Sequence, residues 1–221
     1  MKLVLETFTV MPFSENSYLI GDADAGTAAV IDPGGRVDDI LRSARLAGVE
    51  VRLILGTHAH IDHVSGVAEL AERTGAPYWL HRDALPFLAH LPQQAQLFGL
   101  PPVPVPRVDG PLTADQAIGI GSLTFTVREA PGHAPGHVIL VGPELEHEGH
   151  RGPIVFCGDV IFRGSIGRTD LPGGDTTTLR DSIQREILSL PDAALLLSGH
   201  GPATTVGLER RQNPFLRQWF G

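Results

Sequence analysis

The chain has 221 residues, 42% hydrophobic and 19% charged, with a formal net charge of -8. This suits one globular domain with a sizeable core and argues against a nucleic-acid backbone or an anionic membrane as main partner. The single cysteine, Cys157, excludes an internal disulfide and a cysteine-based zinc site.

The N-terminal stretch "MKLVLETFTVMPFSENSYLI" breaks at Pro12, carries Glu6 in its first apolar run and lacks a signal-peptide core. No apolar run approaches the roughly 20 residues of a membrane span, so a soluble cytoplasmic protein is expected. "KLVLETFTV", "NSYLIG" and "TAAVID" predict short strands ended by the turn "DPGG". Val37, Ile40, Leu41, Ala44 and Ala47 then repeat at helical spacing, with Gly48 as the stop. "VRLILG" reads as a buried strand. Val64, Val67, Ala68 and Ala71 predict one amphipathic helix ending near Gly75, and "PYWLH" a further strand. Residues 84–111 hold seven prolines and read as a surface excursion suited to lining a pocket.

The second half continues with "SLTFTVREA", "HVILVG" and "PIVFCG" as strands, and "PELEHEGHR" as an exposed hairpin tip. Leu179, Ile183, Ile187 and Leu190 mark a helix with Asp175 or Thr176 as its cap, and "AALLLSG" a last strand. Strands and helices mixed throughout give an α/β class.

Several apolar strands end alike. "VRLILG" runs into Thr57 and His58, "TFTVREAPG" into His133, "IVFCG" into Asp159 and "ALLLSG" into His200. Sites in α/β sheets gather beyond the carboxyl ends of strands, and glycine permits the tight turn there. Within "THAHIDH", His58 and His60 are two apart on an extended loop, so their side chains share a side. Asp62 and His63 enter the following helix. Imidazole nitrogen and carboxylate oxygen suit zinc, iron or manganese. His58, His60, Asp62, His63, His133, Asp159 and His200 exceed what one tetrahedral ion takes. They suit two divalent ions, with His58, His60 and His133 on one, Asp62, His63 and His200 on the other, and Asp159 between. His81, His90, His147 and His150 are set aside as ordinary surface or hydrogen-bonding residues. His137 reads as a support to the ligands or a strand start, and Cys157 as packing.

"THAHIDH" with "PGHAPGH", "FCGDVIF" and "SGHGPATT" resembles the metallo-β-lactamase superfamily. The resemblance implies an αββα sandwich with a metal centre at one edge. Within the superfamily, "GSIGRTDLPGGDTTTLRDSI" and "ERRQNPFL" are similar to the glyoxalase II-like group, the short bacterial hydroxyacylglutathione-hydrolase relatives above all; "ENSYLI" and "VIDPGG" also fit its first strands. Arg168 of "IGRTD" matches the basic residue that contacts the glutathione part of the substrate in glyoxalase II. That enzyme's helical C-terminal domain and the tyrosine after its last metal histidine are not matched; the sequence here reads "HGP". The expectation is one domain over 1–221 without that addition. The implied activity is hydrolysis of a small-thiol thioester, such as S-lactoylglutathione, by metal-bound hydroxide that Asp62 orients. The alternative is a persulfide dioxygenase with one iron on His58, His133 and Asp159.

Overall fold

The computed structural model describes residues 1–147 and 149–221. They form two compact units, one of residues 1–112 with 119–124 and the other of 113–118 with 125–221.

The first unit contains β1 (Leu3–Val10), β2 (Glu15–Asp22), β3 (Thr27–Ile31), α1 (Val37–Ala47), β4 (Glu50–Leu55), α2 (Ile61–Val64), α3 (Val67–Thr74), β5 (Tyr78–His81), α4 (Leu85–Ala89), α5 (Leu91–Leu97) and β6 (Gly110–Leu112). The six strands pair in chain order. The β1–β2 and β2–β3 pairs are antiparallel, whereas β3–β4, β4–β5 and β5–β6 are parallel. Parallel neighbours need crossovers, and helix α1 links β3 to β4 while α2 and α3 link β4 to β5. The apolar stripe of α1 buries Val37, Ile40 and Ala44, which join Ile54, Val67 and Leu70 in one cluster. Each large aliphatic side chain so buried contributes about 1.5–3 kcal/mol. Gly48 ends α1 in the left-handed conformation, as its position after the last periodic residue predicts.

The helix predicted after "THAHIDH" is two pieces, α2 and α3. The Gly66 amide, which a continuous helix would direct to Asp62, instead donates to Pro33 O at 2.8 Å. The 33–35 turn is pressed against the gap, and a Cβ on Gly34 would lie 1.9 Å from Asp62 O. Only glycine allows that approach. The excursion expected over 84–111 is also partly regular. Helices α4 and α5 bury Leu88, Leu91 and Ala95 in the unit's core, and the irregular run begins only after them. Pro86 and Pro92 stand in first turns, where a missing N–H costs nothing, so they open helices here rather than marking a loop.

The remaining elements are β7 (Ala117–Ile120), β8 (Leu123–Glu129), β9 (Val138–His147), β10 (His150–Gly158), β11 (Ile161–Phe162), β12 (Ser165–Ile166), α6 (Thr176–Ser182), β13 (Leu195–Ser198), β14 (Thr204–Thr205), α7 (Val206–Gln212) and α8 (Pro214–Phe220). The larger sheet runs β14-β13-β10-β9-β8-β7, and β11 pairs with β12 alone. Strand β8 alternates as predicted, burying Leu123, Phe125 and Val127. Most of "PELEHEGHR" is strand rather than tip, with His147 opposite His150; Glu148 lies outside the described residues. Asp175 is the cap of α6, its carboxylate accepting from the Thr178 amide at 2.6 Å. Beyond α6 the helix widens to a π-helical turn over Ile183–Ile187. Ile183, Ile187 and Leu216 pack with Val155, Leu196 and Val206 in the second unit's core.

Two register facts place chemistry. Strand β3 pairs with β4 so that Ile31 stands beside Leu55, which brings Asp32 next to the 56–58 segment. Strand β10 lies parallel to β13, with Gly158 beside Ser198, so Asp159 and His200 leave the sheet at one edge. Strands β8 and β10 both run antiparallel to β9, so the chain leading to His133 leaves at that edge too.

Candidate metal centre

Each unit carries part of the predicted donor set. In the first, His58, His60, Asp62 and His63 lie on the loop and short helix after β4. The rings of His58 and His60 turn to the same side, with His58 Nε2 3.1 Å from His60 Nδ1. His63 Nε2 lies 3.9 Å from Asp62 Oδ2. In the second unit, Asp159 Oδ2 lies 3.5 Å from His133 Nε2 and 3.5 Å from His200 Nε2.

The ring nitrogens facing away from these contacts define the tautomers. Thr57 Oγ1 donates to Asp32 Oδ2 at 2.6 Å, so at 3.0 Å it accepts from His58 Nδ1–H. His63 Nδ1 donates to Asp32 Oδ2 at 3.1 Å, and His133 Nδ1 to the Arg168 carbonyl at 2.8 Å. In the neutral imidazole each bond places the proton on Nδ1 and turns the Nε2 lone pair to the other side, in the pattern by which outer hydrogen bonds orient metal-binding imidazoles. The buried His137 serves Asp159 in a related way, accepting its backbone N–H on Nε2 at 3.1 Å.

Asp32 was not foreseen from the sequence, where "DPGG" reads only as a turn. It is buried, accepts from the Thr57 amide at 2.6 Å as well as from Thr57 Oγ1 and His63, and sits in left-handed backbone at φ 49°. The legible signal was an acid at the end of one strand whose parallel neighbour leads into the histidine motif. Glu15 was missed too. It is fully buried, with Oε1 4.0 Å from His63 Nδ1 and Oε2 accepting from Ser17 Oγ at 3.0 Å. Burial holds its carboxyl well above the usual range, against the opposing pull of His63.

Of the predicted strand-end glycines, Gly132 and Gly158 take positive φ before His133 and Asp159, whereas Gly56 and Gly199 do not. Arg168 enters through its backbone carbonyl. Its exposed guanidinium forms a two-bond pair with Asp170, at 2.7 and 2.8 Å, which holds the Asp170 carboxyl down at about 2. Cys157 is buried packing, as expected, its thiol pushed up to about 12 chiefly by burial.

The description of the metallo-β-lactamase superfamily matches residues 10–200 of this sequence. The chain belongs to the metallo-β-lactamase superfamily. Hydroxyacylglutathione hydrolase GloC of Haemophilus influenzae is 37% identical to it over 96% of this chain and 97% of its own. Among solved structures, the BLEG-1 B3 metallo-beta-lactamase is similar at TM-score 0.84 and 36% identity, over 96% of this chain and 99% of that one. TTHA1623 in a di-iron-bound form is similar at TM-score 0.81 and 40% identity, over 96% and 100%. The chain thus has the α/β class and metallo-β-lactamase fold expected from its motifs, and it is a metal-dependent hydrolase of this superfamily.

The donor atoms themselves fit a cation. The Nε2 atoms of His133 and His200 stand 3.5 Å from Asp159 Oδ2, beyond the roughly 2.7–3.2 Å of an N–H···O bond. Ligand atoms about 2.0–2.1 Å from one tetrahedral ion stand about 3.3–3.4 Å apart. The spacings of Asp159 Oδ2 from His133 and His200 are close to that value. Within the first unit, Asp32, His58 and His63 also present donor atoms within 4.8 Å of one another. The Asp32 oxygens are already engaged by Thr57 and His63, so it reads as the holder of the two histidines. No helix among the described residues is long and apolar enough to cross a membrane.

Proposed function

We propose that this protein hydrolyses thioesters of a small thiol, of the S-acylglutathione type, with S-lactoylglutathione as a member of the class. The observation that carries the reading is the single oxygen of Asp159 set equally, at 3.5 Å, from the Nε2 atoms of His133 and His200. That spacing supports a carboxylate that two ions would share. His58 Nε2, His60 Nδ1 and His133 Nε2 would hold one, and Asp62, His63 Nε2 and His200 Nε2 the other, with Asp159 common to both. Zinc is the first candidate; iron or manganese suits the same donors. When bound, such a pair brings the pKa of water from about 15.7 towards about 7 and takes up carbonyl oxygen charge.

The chain's own groups do the rest. Asp62, at the entry to α2, accepts a hydrogen bond from the attacking water and aims it. Asp32 and the Arg168 carbonyl hold the histidine rings in the tautomer that presents Nε2. The Cys157 thiol is buried and pushed up to about 12, which removes it as a nucleophile. The thiolate is a good leaving group without a dedicated acid. The 37% identity to a hydroxyacylglutathione hydrolase supports the substrate class. An acidic chain with one cysteine suits a cytoplasmic enzyme of small molecules, with neither nucleic acid nor membrane as partner.

Metal analysis paired with turnover of S-lactoylglutathione tests this. Close to two ions per chain is expected, with hydrolysis lost on chelation and restored by zinc. One iron per chain, with oxygen uptake on glutathione persulfide and no thioester cleavage, would replace the hydrolase with a dioxygenase. Arg168 is proposed to meet the anionic thiol part by exchanging Asp170 for a substrate carboxylate. Arg168→Ala is then expected to raise KM for S-lactoylglutathione about tenfold while changing kcat less than about twofold. An unchanged KM removes Arg168 from the substrate site.

A further inference from the structure

A pocket of about 220 Å³ in the first unit lies beside Asp62, between the turn after β1 and the proline-rich run after α5. Met11 and Phe13 wall it on one side, and Leu100, Pro101, Pro102 and Val103 on the other. The two walls are braced. Phe13 meets Phe98 edge to face at 5.2 Å, and Gln94 of α5 accepts from the Ile61 amide at 3.0 Å. The pocket's place is therefore tied to the loop that carries Asp62.

The lining sorts the possible occupants. Glu15 and Asp62 are its ionisable residues, the one fully buried with its carboxyl held well above the usual range, the other a proposed metal ligand; no lysine or arginine lines it among the described residues. The carboxylate-bearing arms of glutathione would find no cationic side chain there to pair with, whereas an uncharged apolar group meets Met11, Phe13, Leu100, the prolines and Val103. Size points the same way, because an apolar cavity of about 150 Å³ already takes a benzene ring. A lactoyl group, with one methyl and one hydroxyl, would leave most of the space unfilled.

We propose that this pocket receives the acyl substituent of the thioester and selects an apolar chain or ring of roughly six carbons over small polar acyl groups. The inference rests on the thioesterase reading and deepens it. Val103 is half-buried on the pocket wall and packs against the core, which makes it a residue that determines acyl length.

The test uses calorimetry on the metal-loaded protein with S-methylglutathione and S-hexylglutathione, alongside kcat/KM for S-lactoyl- and S-hexanoylglutathione. The hexyl compound is expected to bind at least about tenfold tighter, since each buried methylene is worth roughly a factor of four. The hexanoyl ester is expected to exceed the lactoyl ester by a similar factor in kcat/KM. Val103→Phe should collapse both ratios, whereas Val103→Ala should keep or widen them; a merely structural role would move both variants the same way. Equal affinity for the two alkyl compounds overturns the acyl pocket even where both thioesters are cleaved. Graded affinity without cleavage of either thioester overturns the hydrolase and leaves an apolar-group site standing.

Discussion

Asp62→Ala is expected to lower kcat for thioester hydrolysis by about 10³-fold and to reduce the metal content from near two ions per chain towards one. The rate estimate follows from the two tasks given to one carboxylate. A positioned acid–base group is worth about 10²–10⁴ in rate, and Asp62 is also a proposed ligand of the second ion. The loss should be specific. His58 and His60 keep their contact through the loop before α2, and the Asp62 side chain, 16% exposed, is not part of the core. The close approach at Gly34 involves the Asp62 backbone carbonyl, which alanine retains. Metal analysis and stopped-assay kinetics on the purified variant check both halves. Turnover at the original rate would show that Asp62 neither aims water nor holds an essential ion.

The second large effect is expected at Asp32. Asp32→Ala takes away the acceptor of the Thr57 amide, the Thr57 hydroxyl and His63 Nδ1 together. Leaving a buried donor unsatisfied costs about 1–3 kcal/mol each, and these three belong to one network, so a combined loss of about 3–5 kcal/mol in folding stability is expected. Alanine is also less suited than aspartate to the left-handed backbone at φ 49°. Asp32→Asn separates the two consequences. Asparagine tolerates that backbone and retains a carbonyl for the Thr57 amide, so most of the stability should return. Its amide group cannot accept from His63 and the Thr57 hydroxyl as a carboxylate does. Metal affinity should therefore remain about 10–100-fold below the original, the size of effect found when an outer partner of a metal-binding histidine is removed. Denaturant unfolding together with competition for zinc by a chelator reads the two quantities apart. Original affinity in Asp32→Asn would show that the carboxylate supports the fold alone.

The candidate ligands were legible because metal chemistry is written in residue type and local spacing. "THAHIDH" concentrates donors on one loop, and the glycines before His133 and Asp159 announce tight turns after strands. Strand alternation in β8 and the helical period of α1 were readable for the same local reason. The misreadings have physical causes as well. Pro86 and Pro92 open helices, so a rule that treats proline as a breaker places a loop where α4 and α5 stand. The split between α2 and α3 arises because a segment some thirty residues earlier in sequence claims the Gly66 amide through Pro33. Strands of two residues, as in β11, β12 and β14, are too short to carry a period at all.

By itself, then, the amino-acid order determined which side chains are candidate nitrogen and oxygen donors, their grouping along the chain, and the family to which they point. Tertiary structure decided what holds those donors still. The parallel register of β3 on β4 sets Asp32 against Thr57, and the return of the chain after β12 offers the Arg168 carbonyl to His133. It also decided where an apolar pocket opens beside Asp62. These are contacts between residues distant in sequence, formed by backbone pairing and burial. No spacing within a short motif encodes them.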